Sequence, residues 1–108
     1  MTSTSHFLLR LIPPRPTFAA DMTEAEAAVM AEHAAYWIGH MDRGTVVAFG
    51  PVADPTGFWG LAVLETASRD VAERLAAEDP AITSGTMARV EIHPMPQAMV
   101  RPHAGQDT

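Results

Sequence analysis

A chain of 108 residues has room for one domain and one modest core, and 47% hydrophobic against 19% charged residues marks it as globular rather than disordered. A formal net charge of -6 without a basic cluster argues against nucleic acid or an anionic membrane surface as partner, because both need cations facing phosphate. There is no cysteine, and all seven basic residues are arginine, which excludes disulfides, thiolate chemistry, lysine Schiff bases and a phosphate-loop lysine.

In chain order, residues 6–12 (HFLLRLI) form a short apolar run stopped by Pro13-Pro14 and read as a first strand. Residues 13–20 (PPRPTFAA) read as loop, since three prolines exclude helix and central strand. Residues 23–43 read as a long helix. Thr23 and Glu26 make a capping box, the interior is alanine-rich, and Met30, Ala34, Trp37 and Met41 share one stripe ending near Gly44. A second strand is expected over 45–52, turn chemistry over 53–57 (ADPTG), and a third strand over 58–65. Ser68 caps a second helix over 68–78 that Asp79-Pro80 ends, and residues 86–95 complete a fourth strand. Residues 1–96 thus form one domain and 97–108 a loose, proline-interrupted tail.

The order β-α-β-β-α-β predicts an α+β ferredoxin-like sandwich, with both helices on one face of an antiparallel sheet. Strands one to three place apolar side chains on both faces, for example Phe7, Leu9 and Leu11 against Leu8 and Ile12, and Val46 and Ala48 against Val47 and Phe49. Two helices cover one face, so the expectation is a homodimer joined through the other. The fourth strand is the exception, with Arg89, Glu91 and His93 making one of its faces polar.

His33 lies beside the apolar stripe of the long helix, where an imidazole suits acid/base work, although a core histidine bonded to a carbonyl fits the same position. Asp54 lies at the hairpin tip, where an Asx turn is the plainer reading. Arg10 and Arg89 are candidate anion contacts, with surface pairing to Glu91 as the alternative. Tyr36 either orients a ligand or packs. His6 and His93 on neighbouring strands make a thin metal site, and His40 and His103 look solvated. Asp79-Pro80 reads as a helix stop. No serine elbow, glycine-rich phosphate loop or His-Glu-x-x-His segment occurs.

Three features occur together: the helix histidine in EHAAYWIGHMDRG, the Gly-Pro-x-x-Asp hairpin tip in AFGPVADPTG, and the Asp-Pro pair in EDPAITSG ahead of the last strand. In that combination, over about residues 6–96, the chain resembles the YCII-related (YciI-like) proteins. The resemblance implies a dimeric α+β barrel fold similar to muconolactone isomerases, and a site centred on a histidine–aspartate pair that maps to His33 and Asp54. It also points to dehydrochlorinase- or lactone isomerase-like chemistry on small cyclic compounds. The resulting expectation is a small enzyme without metal or cofactor, with His33 as general acid/base, Asp54 orienting it, and an apolar pocket walled by Trp37, Phe49 and Trp59. Arg10, Arg89 and Tyr36 complete the expected substrate contacts. The alternatives are a ligand-binding or interaction module on the same fold, or a metal-assisted enzyme using His6, His93 or His33. No secretion signal or membrane span is evident in the sequence, so a cytoplasmic location is expected.

Overall fold

In the computed structural model, which describes residues 4–102, the elements run β1 (Ser5–Ile12), α1 (Phe18–Asp21), α2 (Glu24–Asp42), β2 (Val46–Val52), β3 (Trp59–Thr66), α3 (Arg69–Ala77), α4 (Pro80–Thr83) and β4 (Arg89–Met95). His103 and the end of the expected tail lie outside the described residues. The strands form one antiparallel sheet in the order β2-β3-β1-β4, with β1 between β3 and β4. This is the ferredoxin-like βαββαβ arrangement, with α1 and α4 as additions to it.

The start of α2 is fixed as its sequence requires. Thr23 Oγ1 accepts from Glu26 N–H at 3.1 Å, and Glu26 Oε1 accepts from Thr23 N–H at 2.9 Å. Arg15 clasps the same glutamate at 2.7 Å and Asp21 at 2.7 Å, tying the 13–20 segment to the helix. That segment, expected as loop, contains the single turn α1, because its Phe18 drops into the core. At the far end of α2, Gly44 takes φ +85°, the left-handed conformation that lets the chain turn into β2.

Alternation puts Phe7, Leu9 and Leu11 of β1 and Ala62 and Leu64 of β3 under the helices, where Trp37, Ala72, Leu75 and Ala76 meet them. In β2 strict alternation fails. Val46 pairs with Leu64 and Ala48 with Val63, so Val47 is an extra, bulged residue. The bulge brings Val46 and Phe49 to the same, helix-covered face. The sequence pattern had set Phe49 with Val47 instead; Val47 is exposed.

On the opposite face the register gathers Leu8, Arg10 and Ile12 with Leu61 and Val63, and the polar face of β4 beside them. Among the described residues no helix covers these side chains, and the apolar ones are half-buried. Among the described residues no helix is long and apolar enough to cross a membrane.

Candidate active site

His33 and Trp37 are one helical turn apart on α2 and point the same way. They meet Asp79, which lies between α3 and α4. Asp79 is extended at φ -60° and ψ 128°, as the residue before Pro80 must be, and its carboxylate caps α4 by accepting from Ala81 N–H at 2.9 Å. Pro80 costs this helix nothing, because the first helical residue has no use for its N–H. The cap turns the carboxylate back toward α2. There it takes His33 Nδ1 at 2.8 and 3.0 Å through its two oxygens, and Trp37 Nε1–H at 2.8 Å.

Asp79 is 0% exposed, and among the described residues every hydrogen bond to its oxygens comes from nitrogen. An acceptor on Nδ1 assigns the imidazole proton to that nitrogen and leaves Nε2 of the neutral ring as an acceptor. The His33 side chain is 13% exposed, and among the described residues Nε2 has no hydrogen-bond partner. His33 borders a cavity of about 250 Å³ between α2 and the β2–β3 end of the sheet. Trp37, Phe49, Met30 and Met87 line it from the core side, and Phe18 and Met22 close it from the 13–22 segment.

Asp79 takes the part expected of Asp54. The carboxylate on His33 is Asp79, whereas Asp54 spends its oxygens within the hairpin turn. It accepts from Thr56 N–H at 2.9 Å, Thr56 Oγ1 at 2.8 Å and Trp59 Nε1–H at 3.1 Å. These donors, the backbone of Thr56 foremost, hold the Asp54 carboxyl below the usual carboxylate range. Asp79 does lie where the second helix stops, and beyond that its side chain meets His33. The available signal was the residue type: aspartate before a proline that opens a helix turn is a cap, and a cap is aimed.

Of the other expected contacts, Trp37 and Trp59 border this cavity, whereas Arg10, Arg89 and Tyr36 do not. Arg10 and Arg89 lie on the uncovered face of the sheet and both pair with Glu91, at 3.5 and 3.0 Å. Trp59 borders the cavity, and its ring also lies under the Arg10 guanidinium, 4.8 Å away. Tyr36 donates to Leu75 O at 2.6 Å and ties α2 to α3; burial, helped by Glu78 and Asp79, pushes its phenol up to about 12. His6 faces Glu65 and His93 faces Glu91, and among the described residues no three His, Cys, Asp or Glu cluster as metal ligands do. His40 packs edge-on against Tyr36, and burial lowers its pKa, with Arg43 adding to the effect.

The YCII-related domain model matches residues 7–96, nearly the whole of the folded chain. The chain belongs to the YCII-related family. Among solved structures, this YCII-related fold is similar to the 5-chloro-2-hydroxyhydroquinone dehydrochlorinase of Burkholderia phenoliruptrix AC1100, solved in complex with 2,5-dihydroxybenzoquinone. The TM-score is 0.61 at 16% identity, covering 82% of this chain and 90% of that one. No protein of curated function matches the sequence.

Proposed function

We propose that this YCII-related protein is an acid/base enzyme that moves a proton on a small cyclic compound, as in an isomerisation or an elimination. His33 is the general acid/base, and Asp79 holds its ring and tautomer and offsets the charge when the ring is protonated. The observation that carries the reading is the fully buried carboxylate on Nδ1 of a histidine that borders a ring-sized apolar cavity. The likeness to a dehydrochlorinase agrees with it at the level of the fold. Asp54 acts at one remove, by holding Trp59 and the hairpin tip beside the cavity mouth.

The test is a panel of halogenated hydroxyhydroquinones and small lactones, followed by chloride release and by isomer formation. Turnover by the native protein is expected to fall about 10²–10⁴-fold in His33→Ala. Turnover that survives in a folded His33→Ala protein refutes the proposal and favours a binding module.

The working form we propose is a homodimer formed through the uncovered sheet face. Leu8, Ile12, Leu61 and Val63 give that face an apolar centre, and Arg10, Arg89, Glu65 and Glu91 give it both charge signs, so it is complementary to a two-fold copy of itself. Sedimentation equilibrium of the native protein and of Leu61→Asp tests it. A native monomer at micromolar concentration refutes it.

A further inference from the structure

The proton-transfer reading leaves open which molecules enter the cavity, and the charges around it bear on that choice. Among the described residues no arginine lines the cavity wall, and the chain has no lysine. The two arginines closest to it in sequence are committed elsewhere: Arg10 lies across the sheet over Trp59 and toward Glu91, and Arg15 is held by Asp21 and Glu26. Among the described residues the one ionisable side chain in the wall is His33, and Asp79 stands behind it as its buried partner. With a neutral ring that pair carries one negative charge, and with a protonated ring it carries none.

A carboxylate entering such a place would lose its hydration without meeting a counter-charge. A hydroxyl is in the opposite position. Because Nδ1–H is committed to Asp79, the one ring nitrogen left for a ligand is an acceptor, Nε2, and the partner it requires is an O–H or N–H. Size narrows the class further. An apolar cavity of about 150 Å³ is enough for benzene. The volume here, about 250 Å³, fits one substituted ring, against the aromatic and thioether walls of Trp37, Phe49, Met22, Met30 and Met87.

We infer that the cavity selects neutral, ring-sized molecules bearing a weakly acidic hydroxyl, phenols or enols, and rejects the corresponding carboxylic acids. This rests on the proposed role of the His33 site, but it is tested by binding alone. The probes are 4-chlorophenol, 4-chlorobenzoate and 4-chlorotoluene at neutral pH, against protein labelled at the methionine methyls and the imidazoles.

The chlorophenol is expected to move the Met30, Met87 and His33 signals in a saturable way. Its Kd should be about tenfold or more below that of either other compound, the benzoate lacking a counter-charge and the toluene lacking the hydroxyl. In His33→Ala the advantage over the toluene should vanish, while the benzoate remains excluded. In Met22→Arg, a substitution at a mouth residue that is 37% exposed, the benzoate should gain affinity relative to the phenol. A benzoate that binds the native protein as tightly as the phenol overturns the inference, as does a phenol that gains nothing over the toluene. These results are separable from turnover. Phenol preference with undiminished turnover in His33→Ala sinks the acid/base role alone, and histidine-dependent turnover without phenol preference sinks the selectivity alone.

Discussion

Replacing Asp79 by asparagine changes one oxygen to an amide and tests the centre of the argument. The native carboxylate accepts from three groups, His33 Nδ1–H, Trp37 Nε1–H and Ala81 N–H, all within 3.0 Å. Asparagine caps a helix as well as aspartate does, so Oδ1 can keep Ala81 and α4 should persist. The amide NH2 then replaces Oδ2, the oxygen 2.8 Å from both Trp37 Nε1 and His33 Nδ1. Against the indole it is a donor facing a donor in a fully buried place, at a cost of about 1–3 kcal/mol. Against the histidine the conflict has a second resolution: the ring proton moves to Nε2, and Nδ1 accepts from the amide. That is the wrong tautomer for a base at the cavity, and the corresponding exchange in a Ser-His-Asp triad costs about 10⁴ in rate. Urea unfolding gives the stability loss, and long-range nitrogen–proton NMR of the His33 ring identifies the protonated nitrogen directly. The expected pattern is Nδ1–H in the native protein and Nε2–H in the variant. An unchanged tautomer in a folded Asp79→Asn protein, or a native ring protonated only at Nε2, refutes the reasoning.

Three further outcomes follow from the scaffold. The Arg15 guanidinium, above all, holds the Glu26 carboxyl at about 2 against an ordinary 4.5; a group depressed on folding contributes stability that is present above its unfolded value and lost as pH falls through its folded one. Thermal melts should therefore show Glu26→Gln and native protein converging between about pH 4.5 and 2, and equal melting temperatures at pH 7 would contradict this. Gly57 takes φ +136°, and a Cβ there would lie 3.0 Å from Pro16 Cα, so Gly57→Ala should destabilise by about 1–3 kcal/mol in urea titration. Tyr36 is the sole tyrosine, so tyrosinate absorbance should stay absent until the folded protein approaches pH 12, with ordinary titration near 10 only in the unfolded chain.

The frame was legible because it depends on local rules. The Thr23–Glu26 box, the alanine-rich run and Gly44 set α2, and branched apolar runs between proline and glycine breaks set the four strands. The site was half legible. His33 stood out by its position on the apolar side of α2, but its partner is 46 residues away, and nothing local at Asp79 says which helix its carboxylate meets. Asp54 stands out in the sequence as the end of the Gly-Pro-x-x-Asp hairpin tip, and that same turn consumes its oxygens. The strand pattern misplaced Phe49 because a bulge is a two-strand property: Val47 is extra only by reference to the pairing of β3. Arg10 and Arg89 share a face with each other, as their spacing suggests, but it is the face away from His33.

Trp37 is where packing and chemistry meet, and its substitution separates them. The indole is 1% exposed and donates to Asp79 through Nε1–H. Trp37→Phe keeps an aromatic ring in the core but removes that donor and part of the ring volume, so a loss of about 2–4 kcal/mol is expected from the hydrogen bond and the residual gap together. The gap is independent of Asp79, and the hydrogen bond is not. A double-mutant cycle with Asp79→Asn isolates the second, since in the asparagine protein the indole N–H has already lost its acceptor. A coupling energy of about 1–2 kcal/mol is expected from urea unfolding of the four proteins. Additivity within about 0.3 kcal/mol would mean that Trp37 stabilises the domain by filling space alone, and that Asp79 is held in place by the α4 cap and His33 without it.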